Sequence, residues 1–116
     1  MEKLNSKQIK EICKLQHKMV VAKIMIKNMP VAYTNDTIYQ MEKDLKIRAI
    51  GEECGTKMAE LINKYGNEII ENTFSDKEYL QKDENKFTFG EQKQATKEVI
   101  GKELTLEEVI EKYGDN

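Results

Sequence analysis

The chain has 116 residues, 39% of them hydrophobic and 34% charged, with a formal net charge of −2. That balance excludes a disordered chain and leaves room for one domain spanning residues 1–116, not two. No apolar run approaches the roughly 18 residues of a membrane span. The opening stretch MEKLNSKQIKEICK is charged from the start, unlike a signal peptide, so a cytoplasmic location is expected.

One proline, six glycines and no tryptophan leave long stretches of Lys, Glu, Ile, Leu and Met, a composition that favours helix throughout. Charge is unevenly spread. Residues 1–29 carry seven lysines against Glu2 and Glu11, whereas residues 75–116 carry seven lysines against eleven acids. The chain is basic in front and acidic behind.

The first helix is predicted from Ser6, as N-cap, to about Lys27, with Met29-Pro30 as its stop. Ile12, Leu15, Met19, Ala22 and Ile26 form one apolar seam, which Ile9, Cys13 and Val20 widen. Thr34, Asn35 and Asp36 offer caps for a second helix, whose seam is expected at Ile38, Met41 and Leu45. Gly51, Gly55 and Ala59 then recur four apart. Either they lie on one continuous helix, as a bare strip that another backbone could approach, or Gly51 to Thr56 is a turn. Two helical glycines cost roughly 2 kcal/mol relative to alanine, so propensity alone leaves both readings open.

Met58, Leu61, Ile62, Tyr65, Ile69 and Ile70 continue the seam, with a break expected at Gly66. Ser75-Asp76 can cap a short helix through Leu80. Phe87 and Phe89, two apart, suggest an extended piece with both rings on one side. Helical pattern returns from about Glu91 through Leu104, with Ala95, Val99, Ile100 and Leu104 inward. Thr105 to Glu108 reads as a capping box and Gly114 as a stop. Leu106, Val109, Ile110 and Tyr113 make the apolar face of a terminal docking helix. The fold class is therefore all-α: a compact bundle of four to six helices with a basic amphipathic first helix.

Little here points to catalysis. His17 is the only histidine, and Cys13, four residues before it, gives the one arrangement resembling a thiol with its base. Cys13, His17 and Cys54 fall one ligand short of a closed zinc site, without metal-binding spacing. Both cysteines are expected to be reduced and buried, and no catalytic residue, metal or cofactor is assigned.

The sharpest feature is the row Lys3, Lys7, Lys10, Lys14 and Lys18, which at helical spacing falls within roughly 80° of one face. Such a row can be a solvated face, follow a phosphate backbone, or dock an acidic protein groove. Arg48 is the only arginine against eighteen lysines, a poor equipment for reading base edges.

Two stretches resemble helix-turn-helix halves. LTLEEVIEKYG is followed only by Asp115 and Asn116, and the helix after Gly66 would offer Glu68 and Glu71 where phosphates would repel them. The functional expectation is a small non-enzymatic protein that binds another macromolecule, foremost a protein, as an adaptor, assembly subunit, or stoichiometric inhibitor or regulator. A homo-oligomer fits that expectation and a membrane partner does not. The alternative is a nucleic-acid-associated regulator, as a dimer, using the lysine face.

Overall fold

The computed structural model describes residues 2–28 and 37–114, and these form an all-α protein. Its helices are α1 (Ser6–Lys27), α2 (Thr37–Tyr65), α3 (Asn67–Ser75), α4 (Lys77–Leu80), α5 (Phe89–Ile100) and α6 (Leu106–Tyr113), with a 3-10 turn at Asp83–Asn85. The stop assigned to Met29-Pro30 and the caps assigned to Thr34, Asn35 and Asp36 lie outside the described residues.

α1 is capped one residue earlier than expected. The Asn5 side chain accepts from the Gln8 amide while the Gln8 side chain accepts from the Asn5 amide, which satisfies two donors reciprocally. Ser6 instead donates its hydroxyl to Asn85. The preceding backbone is tied down at both polar atoms: Leu4 N–H donates to Thr73 Oγ1 at 2.8 Å, and Leu4 C=O accepts from Tyr79 Oη at 2.7 Å. Asn85 Nδ2 donates in turn to the Tyr79 carbonyl at 2.9 Å. The start of α1 is thereby fastened to α3, α4 and the 3-10 turn.

α1 is the central element, touching α2, α5, α6 and the 3-10 turn. Two apolar clusters sit along it. One gathers Leu4, Ile9, Ile12 and Leu15 with Cys54 and Leu61 of α2; the other joins Val21, Ala22 and Met25 to Ile47, Val99 and Val109. Because neighbours lie on two sides, α1 buries a wider arc than its seam implied: Val21, Met25 and His17 are inside. Val20, by contrast, is 42% exposed.

α2 runs unbroken through Gly51 and Gly55, so no turn occurs there. It is antiparallel to α1: Tyr65 Oη donates to Glu11 at 3.4 Å, and a Cβ on Gly51 would lie 3.9 Å from that of Ala22. On this pairing Lys27 falls beside about residue 46, so the first two turns of α2 run past the end of α1. Gly66, at φ +88°, ends α2 where the break was expected.

Phe87 and Phe89 do not share a side. Phe87 is half-buried, its ring 6.0 Å from that of His17, whereas Phe89 is 71% exposed. Thr88 ends the extended backbone between them by capping α5 in a box with Glu91, which breaks the alternation and starts the helix two residues early. Gly101, at φ +80°, then closes α5 before Leu104, since only glycine enters that region without strain.

α6 docks through Val109, which is buried, with Leu106 and Tyr113 packed beside it, but Ile110, expected on the same face, is 52% exposed. Its cap differs in detail: Thr105 accepts from the Glu108 amide but gives its hydroxyl proton to the Glu108 carboxylate. Gly114 ends the helix at a negative φ. Glycine is required because a Cβ there would run into the Ile110 carbonyl.

Candidate protein-docking surface

The lysine row is largely spent inside the chain. Lys3 meets Asp76 at 3.0 Å, Lys10 meets Glu91 at 3.4 Å, and Lys14 and Lys18 reach Glu98 at 3.1 and 3.7 Å. Lys7 alone of the five has no ion pair among the described residues. The basic front of the sequence thus faces the acidic back, because α5 lies along α1. These pairs are partly exposed, so each contributes only about 0.2–1 kcal/mol. Burial pushes the Glu91 carboxyl up, but hydrogen bonds from Thr88 and from the Lys10 ammonium outweigh it and hold it below its ordinary range. Beside the row lies a groove of about 720 Å³ where Lys7, Lys10, Lys14 and Lys64 mix with Glu11 and Glu91, a surface of mixed sign.

His17 is buried under α5. The Thr96 hydroxyl donates to the Gln92 carbonyl at 3.0 Å, so the His17 Nε2–H donates to Thr96 Oγ1 at 2.8 Å. The imidazole has a structural partner and packs against Phe87. Cys13 is half-buried and Cys54 buried, both unpaired as disulfides. Burial pushes both thiols up, with the Glu91 charge adding to the effect at Cys13, the reverse of what activates a nucleophile. Among the described residues no three of His, Cys, Asp or Glu gather to hold a metal ion.

Burial also lowers the pKa of His17 from its ordinary 6.5. Between the two values the unfolded chain binds more protons than the folded one, so stability is complete above pH 6.5 and declines as the pH falls below it. The lowered carboxyls of Glu91 and Asp76 act only below their ordinary 4.5 and 3.8. Urea midpoints should therefore fall between about pH 7 and pH 5, and His17→Gln, which retains a donor toward Thr96, should flatten that slope. An unchanged slope in the variant would assign it to other groups.

An apolar seam with no partner among the described residues is on α2. Ile38, Met41 and Leu45, expected in the core, are 75%, 52% and 66% exposed. The core seam of α2 is instead Ile47, Ile50, Cys54, Met58, Leu61 and Tyr65. At 100° per residue, Leu45 and Ile38 lie roughly 160–180° from Ile47 around the helix. α2 therefore carries two apolar seams, and the outer one begins where the helix has outrun α1.

Next to it, α1 and α2 leave a groove of about 560 Å³, walled by Met19, Val20 and Ile26 and floored by Gly51. One turn further along α2, a Cβ added to Gly55 would meet nothing within 4 Å among the described residues. The glycine strip anticipated in the sequence is thus real, and half of it faces open space. Elsewhere, a groove of about 790 Å³ between α5 and α6 combines Phe89 and Ile110 with Glu107, Glu108 and Glu111.

Fold and surface together define a small all-α protein with an apolar helix face that has no partner among the described residues. Among the described residues no helix is long and apolar enough to cross a membrane. In comparison with known proteins, no family model matches the chain, and no curated protein or solved structure matches it either.

Proposed function

We propose that this protein acts by binding another protein through the outer face of α2. The observation that carries the reading is the run Ile38, Met41 and Leu45, spaced three and four apart and more than half exposed on a helix whose opposite side already fills the core. Anchors at that spacing are what a helix presents to a groove or to another helix. Scattered apolar residues on a surface need no explanation, but a contiguous helical seam beside an apolar groove does.

Binding rather than catalysis fits the rest of the molecule. The histidine is engaged with Thr96 and the thiols are held protonated. The nucleic-acid alternative has less support, because four of the five lysines that would meet phosphates already face carboxylates. A regulator, inhibitor or assembly subunit would each use such a face.

The test is site-specific photocrosslinking in the native cells. A photoreactive residue at position 45 should yield protein adducts that resist nuclease, while one at position 14 should yield no nucleic-acid adduct. Nuclease-sensitive adducts from position 14, with none from position 45, would replace this reading by the alternative.

A further inference from the structure

We infer that the partner seated on this face is a second copy of the chain, with α2 packed antiparallel on α2 about a two-fold axis near Arg48. The inference rests on the docking role proposed for α2 and names its occupant. It is carried by how large and small residues are segregated along that helix.

Met41 and Leu45 stand four apart in the first half of α2, and Gly51 and Gly55 stand four apart in the second. All four fall within roughly 120° of one side of the helix. Reversing one copy about position 48 sets Met41 over the partner's Gly55 and brings Leu45 level with the partner's Gly51, on the opposite flank of the contact. Ile38 falls against the turn that carries Ala59. Met41 meets bare backbone, and the same match repeats on the other side of the axis, as an isologous interface requires. A foreign partner would have no need for both the ridges and the matching gaps to lie on this chain.

The surroundings agree. Gly55 faces open space, and the only neighbour of a Cβ at Gly51 would be Ala22 at 3.9 Å, so an incoming helix can approach closely. Val20, 42% exposed on the wall of the adjoining groove, would cover the flank of that helix. Arg48 has no ion pair among the described residues and sits one turn from Asp44 and one turn from Glu52 on the same side. Near a two-fold axis, each guanidinium therefore finds a carboxylate of the other copy about one turn away. The seam from residue 38 to residue 59 is about 30 Å long. Helix contact over that length, with the groove wall added, is of the order needed for a stable interface of about 800 Å² per partner.

Sedimentation velocity on the full chain, from low to several hundred micromolar, tests this. The wild type should reach a dimer. Leu45→Glu and Gly55→Leu should each weaken association by about tenfold or more, because one puts charge on the flank of the contact and the other bulk at its centre. Gly55→Leu is the decisive variant: its side chain enters open space in the monomer, and glycine is the poorer helix former. The thermal midpoint of the dilute monomer should therefore hold or rise while the dimer is lost. Phe89→Ser, at an exposed site outside this face, should leave association unchanged.

A wild type that stays monomeric at the highest concentration would overturn the inference, as would a dimer that survives Gly55→Leu or dissolves with Phe89→Ser. The wider reading fails separately. Crosslinks from position 45 to a different protein, with a monomeric wild type, would keep the docking role and reject the second copy. The absence of any adduct from position 45 would reject both.

Discussion

Replacing Ile9 with alanine is expected to destabilise the fold by about 2–5 kcal/mol, toward the upper end of that range. Ile9 is fully buried on α1, in the cluster formed by Leu4, Ile12, Leu15, Cys54 and Leu61. α1 is held from two sides, by α2 and by α5, so the surrounding helices cannot easily collapse into the space left by the side chain. A domain of this size has a total stability of about 5–15 kcal/mol, so the loss is a large share of the whole. Urea denaturation should show a lower midpoint with an unchanged slope. A loss below about 1 kcal/mol would mean that the contacts around Ile9 are far looser than described.

Thr73→Val is expected to cost about 1–3 kcal/mol, although it keeps the shape of the side chain. Thr73 is fully buried and its hydroxyl has two duties: it donates to the Ile69 carbonyl at 2.8 Å and accepts the Leu4 N–H at 2.8 Å. Ile69 lies one turn back on the same helix and its carbonyl retains helical partners. The Leu4 amide, sixty-nine residues away in the chain, would be left buried and unsatisfied. The residues ahead of α1 should then exchange their amide hydrogens faster, while α5 and α6 are unaffected. Equal acceleration across all helices would indicate a global loss and not the release of one tether.

The helix boundaries were largely legible because they rest on local chemistry. Asp76, Thr105 and Gly66 act within a few residues of themselves, and each is a cap or a stop as its type implies. Asn5 and Thr88 act in the same way but were overlooked, although Asn5-x-x-Gln8 and Thr88-x-x-Glu91 follow the very pattern recognised at Thr105.

What could not be read was which side of a helix meets what. Ile38, Met41 and Leu45 repeat as regularly as Ile47, Ile50 and Cys54, so periodicity identifies two seams and cannot rank them. The ranking comes from which side of α2 packs against α1, a side roughly opposite Ile38 and Leu45. The lysine row is similar: spacing puts Lys10, Lys14 and Lys18 on one face, but that Glu91 and Glu98 cover it depends on α5 returning across the chain. The burial of His17 is illegible for the same reason, since only α5 supplies Thr96 above it. The proposed docking surface is therefore present in the sequence as the strip Gly51, Gly55 and Ala59, whereas periodicity places Ile38, Met41 and Leu45 in the core.

The proposed contact of α2 with its own copy sets Met41 over the partner's Gly55. It is tested most directly by isotope-filtered nuclear Overhauser spectroscopy on a sample mixed from labelled and unlabelled chains at a concentration where the dimer should form. Antiparallel packing about Arg48 predicts intermolecular contacts from the methyl group of Met41 in one copy to the α-protons of Gly55 in the other. Intermolecular contacts that run instead to Phe89 and Ile110, or none at all, would contradict it.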